Sequence, residues 1–526
     1  MAHQPGKSNP LILSIDAGTQ SIRASLVDLT GNILDIVKTP IEPYFSKHPG
    51  WAEQEPSYYW EQFRATCKHL FEACGDRKER IAGVAVTTQR ATVVNVDREG
   101  NPLRPAITWL DQRKADPGRI IPGILKPVLK GVGLLAFAEG VIADAEVNWI
   151  KQQQPDIWEK THKYLLLSGF FTFKLTGEFV DSTGSNVGYL PINNKTYQWA
   201  GKRDFKWKIF PVEAEKLPTL VKPGEEMGRI TATASEETGI PRGLPVIAAA
   251  SDKACEILGA GCMTPETACL SFGTIATINT ATRKYVEVKT LIPPYPAAIP
   301  NTYYTEVSIM RGFWMVSWFK EQFGQKEILE AAEKGLTPEM LFDELIRGVP
   351  PGSLGLILHP HWTPGPHSAK YIKGAVIGFG DIHTRAHFYR AIIEGLIFGL
   401  KEGADVTEKK NKIPITRLRV SGGGSLSDTA MQIAADIFGL PAQRPHTHET
   451  SAVGAAIDAA VGLKLYPDFD SAIAAMTRVK DVFEPIPKNQ ELYTGLYKKV
   501  YTKMFKQLLP LYRSIQEITG YPSQQG

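Results

Sequence analysis

Apolar and polar positions follow two rhythms along this chain, and each break in rhythm marks the edge of an element. Leu11-Ile-Leu-Ser-Ile-Asp16-Ala-Gly-Thr19 reads as an apolar strand that runs into a turn of small residues. Ser25-Leu-Val-Asp-Leu29 and the turn Thr30-Gly31-Asn32 complete a β-hairpin, which continues toward Ile36 as a third strand. Arg80 to Val86 and Ala91 to Val96 are further β-rich runs, the second stopped by the turn Asp97-Arg-Glu-Gly100-Asn101. In the second half Phe388, Ala391, Ile392, Gly395, Leu396 and Gly399 fall at helical spacing and form one stripe of a long helix. Leu418-Arg-Val420 predicts a strand that enters Ser421-Gly-Gly-Gly-Ser425. A helix follows from near Asp428, with Met431, Ala434, Ala435 and Phe438 inward and Gly439 as its stop. Tyr493, Tyr497 and Tyr501 share a helical face, so a closing segment from Glu491 to Ile518 should cover the back of a domain. Strands and helices mixed in this way predict an α/β fold.

One pattern recurs. Ala268-Cys-Leu-Ser-Phe-Gly273-Thr274, followed by Ile275-Ala-Thr-Ile-Asn279, repeats the strand-x-Gly-Thr turn of Asp16 to Thr19 at a separation of 255 residues. Its position near mid-chain predicts two similar domains that meet face to face.

These turns are also where chemistry concentrates. In Asp16-Ala-Gly-Thr-Gln20-Ser21, Gly18 permits close backbone approach. Thr19, Gln20 and Ser21 supply hydroxyl, amide and backbone donors for phosphate oxygens. Asp16 at the strand end suits a hydrated Mg²⁺, which prefers oxygen ligands and keeps several waters, and Arg23 adds a cation nearby. The turn also reads as an ordinary hairpin stabilised by its Asp and Thr. Pro245-Val-Ile-Ala-Ala-Ala250-Ser251-Asp252 is a strand ending in a carboxylate. Beside an inter-domain cleft Asp252 would accept a proton from a substrate hydroxyl, and alone it reads equally as a helix N-cap. Ser271-Phe-Gly-Thr274 is a second candidate phosphate clasp without a carboxylate. Ser421-Gly-Gly-Gly-Ser425 lets backbone approach a nucleotide at a helix start, although no Gly-Lys-Ser/Thr follows as in a P-loop.

Composition narrows the partners. Lys+Arg 59 against Asp+Glu 55 leaves a net charge of +4 over 526 residues, so nothing electrostatic points to nucleic acid. The apolar run from Leu11 stops at Asp16, too short for a signal-peptide core or a membrane span. Ile120 to Ala143 is the most apolar segment, but Lys126, Lys130 and Glu139 interrupt it, and it reads as buried helix and loop. The five cysteines form no C-x-x-C pair, and Cys255, Cys262 and Cys269 read as buried small hydrophobes. Reduced thiols without an export signal predict the cytoplasm.

Taken in order, two phosphate turns, a strand-end carboxylate and a Gly-rich loop resemble the FGGY family of carbohydrate kinases over nearly the whole chain. Trp51-Ala-Glu-Gln-Glu-Pro56, Thr88-Gln-Arg90, Trp109-Leu-Asp-Gln-Arg113 and Lys174-Leu-Thr-Gly-Glu178 add to the likeness. So do Gly374-Ala-Val-Ile-Gly378, His387 to Glu394 and Glu449-Thr-Ser-Ala-Val-Gly454. The resemblance implies two actin-like (ribonuclease H-like) domains with ATP in the cleft. By its logic residues 1–255 form the domain on the sugar and metal side. Residues 256–485 would form the nucleotide-side domain, and 486–526 a closing helix. It also implies Mg²⁺ at Asp16, phosphates at Thr19 with its neighbours and at Gly273-Thr274, and Asp252 as general base. Gly423, Gly424 and Ser427 would lie beside the adenosine and α-phosphate. Arg90, Trp109, Asp111 and Asp252 would touch the acceptor, a small sugar or polyol. Neither nucleic acid nor membrane is an expected partner, and a homodimer is compatible with the resemblance.

The departures fall on the sugar side. Where glycerol kinases carry Glu after the Gln-Arg pair, this chain has Ala91, and the Met-His pair of xylulokinases is absent. The usual Lys before a Trp in the first family signature is replaced by Asp144-Ala-Glu146 ahead of Asn148-Trp149. His359-Pro-His361-Trp-Thr-Pro-Gly365-Pro-His367 also departs from the family pattern. A pentulose, tetritol or related acceptor is therefore expected over glycerol, because Ala91 cannot accept the hydrogen bonds of a polyol. An actin- or chaperone-like nucleotide switch and a sugar-binding pseudokinase are the competing readings. His359, His361 and His367, and His446, His448 and Glu449, fit no common zinc spacing and read as surface or substrate-loop residues. Lys202-Arg-Asp-Phe-Lys-Trp-Lys208 reads as a solvated loop, and Lys409-Lys410-Asn-Lys412 as a helix end.

Overall fold

The computed structural model describes residues 9–121, 126–131, 133–363 and 372–521. Two sheets share one strand order. The first runs Glu226–Arg229, Pro245–Ala248, Ile81–Thr88, Leu11–Ala17, Ser21–Val27, Ile33–Pro40. Its centre, Leu11–Ala17, is buried at every residue, parallel to Ile81–Thr88 and antiparallel to Ser21–Val27. A strand covered on both faces is mostly apolar, here with Ser14 and Asp16 as the exceptions, whereas the edge strand Ile33–Pro40 alternates half-buried with exposed positions. The second sheet runs Tyr295–Pro296, Tyr303–Ile309, Ala276–Thr282, Thr267–Phe272, Arg417–Ser421, Ala442–Pro445, Val479–Phe483. Here too a hairpin and a third antiparallel strand lie on one side of the central strand, with a parallel strand on the other. The repeated turn is thus the visible trace of a repeated sheet.

Two helices, Asp252–Gly259 and Thr450–Gly462, lie between the sheets and touch each other backbone to backbone. A Cβ on Gly259 would sit 1.9 Å from the Thr450 carbonyl oxygen, and one on Gly454 1.9 Å from that of Cys255. Only glycine fits this crossing. Around it one apolar core joins Ile12, Ala85 and Ile247 of the first sheet to Cys269, Ala281 and Tyr304 of the second. Cys255, Cys262 and Cys269 are buried there as free thiols, as expected.

A smaller sheet, Glu53–Gln54, Ala106–Ile107, Val93–Val96, Lys163–Leu166, caps the first half over its own core of Val93, Ile107, Trp149 and Trp158. The long helix Arg385–Asn411 buries the predicted stripe from Ala391 to Gly399 and ends at Lys412. Tyr493, Tyr497 and Tyr501 bury their rings in the core of the second half.

Two expectations fail. The apolar stretch Ile120 to Ala143 is helical over Lys126–Gly131 and Leu135–Asp144, but Ile142 is the one fully buried residue of the latter helix. High hydropathy in Leu135–Asp144 does not translate into burial. His359, read as a surface or substrate-loop residue, is buried in the strand Ile357–His359 and faces the rings of Tyr501 and Phe505. His361 is half-buried, and His367 lies outside the described residues.

Candidate active site

The first strand delivers Asp16 to the cleft. Its Oδ2 accepts from Arg23 Nη1 at 3.0 Å, and Arg23 Nε lies 3.4 Å from Glu449 at the start of Thr450–Gly462. Antiparallel pairing sets Arg23 directly opposite Asp16. Asp16 Oδ1 is buried without a hydrogen-bond partner. Burial and the nearby Asp252 and Glu449 carboxylates push Asp16 up to about 7, against the pull of Arg23. The lone pairs of that orphaned oxygen are what a hydrated divalent cation would satisfy through water. The turn beyond is tied down on both sides: Gly18 N–H donates to Ser21 O at 3.1 Å, and Ile41 N–H to Gln20 O at 3.0 Å. Ser21 is buried and Gln20 exposed, while Thr19 Oγ1 donates to Gln89 Oε1 and accepts from Trp109 Nε1, each at 3.0 Å.

Asp252 is the first residue of its helix. Ser251, not Asp252, occupies the N-cap position. The Asp252 Oδ1 accepts the Lys253 N–H at 2.6 Å. Burial raises its carboxyl, and the Arg90 guanidinium and Lys253 ammonium draw it back down. Lys253 reaches away from Asp252: its Nζ donates to Ser271 Oγ at 2.8 Å and pairs with Glu256. Glu256 also accepts from Ser421 Oγ at 2.5 Å. One largely enclosed cation–carboxylate pair therefore ties the helix that carries Asp252 to the ends of both central strands of the second sheet.

Those strand ends carry the second turn and the glycine loop. Thr274 is exposed, while the Gly273 and Thr274 carbonyls accept the N–H groups of Phe313 and Gly312 at 3.0 and 2.9 Å. Gly422 has φ +81° and ψ 169°, and a Cβ there would lie 2.9 Å from the Phe272 carbonyl carbon, so loop and turn touch through bare backbone. Nothing stands within 4 Å of the Cβ direction of Gly423, whereas Gly424 packs on Phe313. Open space at Gly423 is a cradle a nucleotide can enter. Ser427 caps the helix Asp428–Phe438 by accepting from Ala430 N–H, and its hydroxyl donates to Asp343. That hydroxyl is already committed.

On the sugar side the predicted contacts part company. Arg90 lies within the field of Asp252 and makes a two-pronged pair with Glu306 of the other half, at 3.1 and 3.2 Å, with Tyr295 under its guanidinium. Trp109 holds Thr19, as above. Asp111 spends its carboxylate on the Ala52 N–H at 2.6 Å and on Arg113, whose guanidinium also meets Glu53 and stacks between Trp51 and Trp149. Asp111 thus shapes the floor under the site. Ala91, where a glycerol-type Glu would stand, has φ +51° and is fixed by donating its N–H to Val187 O at 3.1 Å. Glu146 is buried near Asp111 and Asp144, and its carboxyl is pushed up to about 8. Sequence reasoning gave no role to Glu306, Lys253 or Glu256. A lone Glu in an apolar strand carries no pattern, and Glu449 was visible only as part of a quoted segment.

The profile of the FGGY family of carbohydrate kinases matches this chain twice, its N-terminal domain over residues 11–259 and its C-terminal domain over 268–463. The chain belongs to the FGGY family of carbohydrate kinases. Similar proteins agree. An uncharacterized sugar kinase, YgcE, of Escherichia coli is 31% identical across 95% of this chain and 94% of its own length. A xylulose kinase of Staphylococcus epidermidis is 28% identical across 97% and 99%. The crystal structure of xylulose kinase from Rhodospirillum rubrum superposes with a TM-score of 0.79 at 25% identity, covering 96% of this chain and all of that one. The paired sheets are therefore the two actin-like domains of an FGGY sugar kinase, a family that takes its phosphoryl group from ATP.

Proposed function

We propose that this FGGY kinase transfers the γ-phosphoryl group of ATP to a hydroxyl of a small sugar or polyol, a pentulose, tetritol or related acceptor rather than glycerol. The observation that carries the reading is Asp252: a half-buried carboxylate at a helix start, within the field of Arg90 and of Asp16. Phosphoryl transfer asks the protein mainly for alignment and charge neutralisation. Asp252 takes the proton of the attacking hydroxyl; burial raises that carboxyl, and the Arg90 guanidinium draws it back down. Thr19, Gln20 and Ser21 from the first turn and Gly273 and Thr274 from the second supply donors to the phosphates. The open side of Gly423 and the neighbouring Gly424 receive the nucleotide. Asp16 would hold Mg²⁺ through water, its unpartnered Oδ1 being the free ligand atom, and the cation would supply charge neutralisation at the phosphates. Arg23, now on Asp16 and Glu449, is close enough to share that charge. The missing Glu at Ala91 favours an acceptor longer than glycerol. ATP supply and the absence of a membrane-crossing helix among the described residues suit a cytoplasmic enzyme.

The test is ADP release by purified protein across glycerol, erythritol, D-xylulose and D-ribulose. Acceptor-dependent ADP is expected, with glycerol the poorest. Asp252→Asn should lose about 10²–10⁴-fold in kcat while its ATP affinity, measured by calorimetry, stays near wild type. Undiminished turnover in that variant would remove Asp252 from the reaction.

A further inference from the structure

We infer that Glu306, delivered by a strand of the second sheet, is a specificity-determining residue that binds the distal hydroxyls of the acceptor; this rests on the kinase reading above. Glu306 sits mid-strand in Tyr303–Ile309, and its side chain is 7% exposed. Both carboxylate oxygens cross the cleft to Arg90, 216 residues away in sequence, at 3.1 and 3.2 Å. Arg90 also lies 4.7 Å from the Tyr295 ring centroid and within the field of Asp252. Arg90 therefore stands between the base and Glu306. Lys253, Lys289 and Tyr295 also face the Glu306 carboxylate.

The pair is not needed to shape the turn that carries Arg90, since Ala91 N–H already fixes that turn on Val187 O at 3.1 Å. Nor is such a pair a reliable source of stability, because apolar residues of similar volume often replace a buried ion pair at no cost. What it offers is recognition. A two-pronged guanidinium–carboxylate pair presents donors and acceptors side by side, which is the complement of neighbouring hydroxyls. Ala91 supplies no acceptor from the same turn, so the carboxylate beside Arg90 comes from the opposite half of the molecule. An acceptor whose reacting hydroxyl rests on Asp252 extends past Arg90 toward Glu306, and each added carbon brings another hydroxyl to that side. Specificity is then read only when both halves are together.

The experiment pairs calorimetric titration with steady-state kinetics on the full chain, using glycerol, erythritol, D-xylulose and D-ribulose, for wild type and Glu306→Gln. The best of the four- and five-carbon acceptors should lose about tenfold or more in affinity and in kcat/KM, chiefly through KM, and glycerol should lose least. Glu306→Asp, with the charge kept on a shorter arm, should recover part of the loss. A fall in kcat that is uniform across acceptors, with KM unmoved, would make the pair a cross-cleft latch and overturn the inference; so would no change. Titration separates the two readings. Glu306-dependent acceptor binding without phosphoryl transfer sinks the kinase reading alone, and a wild type that binds none of the four overturns both.

Discussion

The strand ends at Asp16 and Ser271 occupy the same place in two sheets of the same order, yet their chemistry is different. The first ends in a carboxylate with one oxygen free, paired through Arg23 to Glu449. The second ends in a hydroxyl that accepts from Lys253, whose charge is spent on Glu256. A duplicated scaffold has thus been charged asymmetrically: one turn is left hungry for a cation, and the other is already satisfied. The lesson is that a site between two equal halves needs unequal turns. One turn keeps a carboxylate oxygen unpartnered, and the other ties down the helix that carries Asp252.

The largest effect should come from breaking the satisfied side. Lys253→Met leaves Glu256 buried without its cation and should cost about 3–5 kcal/mol, read by denaturant unfolding. Lys253→Met with Glu256→Leu should regain much of it, and additive losses would deny the pair. Next is Gly422→Ala, which places a Cβ in a backbone region open essentially to glycine and 2.9 Å from Phe272. A loss of about 3 kcal/mol with weaker ATP binding is expected, and a neutral substitution would mean that loop and turn do not touch.

The hungry side is sharpened by pH. The Asp16 carboxyl is raised from 3.8 to about 7 in the fold, so folded protein without nucleotide binds more protons than unfolded chain across that interval. That stabilisation is complete below 3.8 and is lost as pH rises through about 7. Stability should therefore fall over this window, by up to ~1.4 kcal/mol per pH unit from this one group. Asp16→Asn should flatten the slope by that share; an identical slope in the variant would mean Asp16 is ionised throughout. Glu146 and Asp181, raised to about 8 and about 7, act in the same direction. The smallest effect belongs to the sugar side. Ala91→Gly relieves φ +51° and should stabilise by about 0.5–1 kcal/mol in thermal unfolding, while a loss would show the turn to be unstrained.

Legibility followed pattern length. The apolar run Leu11–Ala17, the stripe from Ala391 to Gly399 and the tyrosines at 493, 497 and 501 repeat with a period, and a period survives in sequence. Ser427 and Asp111 were harder. Each sits in a family-like motif, but the structure turns one into a helix cap and the other into a partner of Arg113. Residue identity does not say where a lone pair is spent. Ile120 to Ala143 misled because hydropathy measures what a segment would gain from burial, not whether a neighbouring layer is there to bury it.

By itself the chain determined its two matched turns, the α/β alternation, the strand-end acids and the family they belong to. Those are local patterns of a few residues, set by strand and turn chemistry that each segment carries with it. Only the tertiary structure decided that Arg90 meets Glu306, that Lys253 clasps the second turn and that Asp16 keeps an oxygen free. These contacts join residues far apart in the chain, and their energy depends on burial, which exists only once the layers have packed.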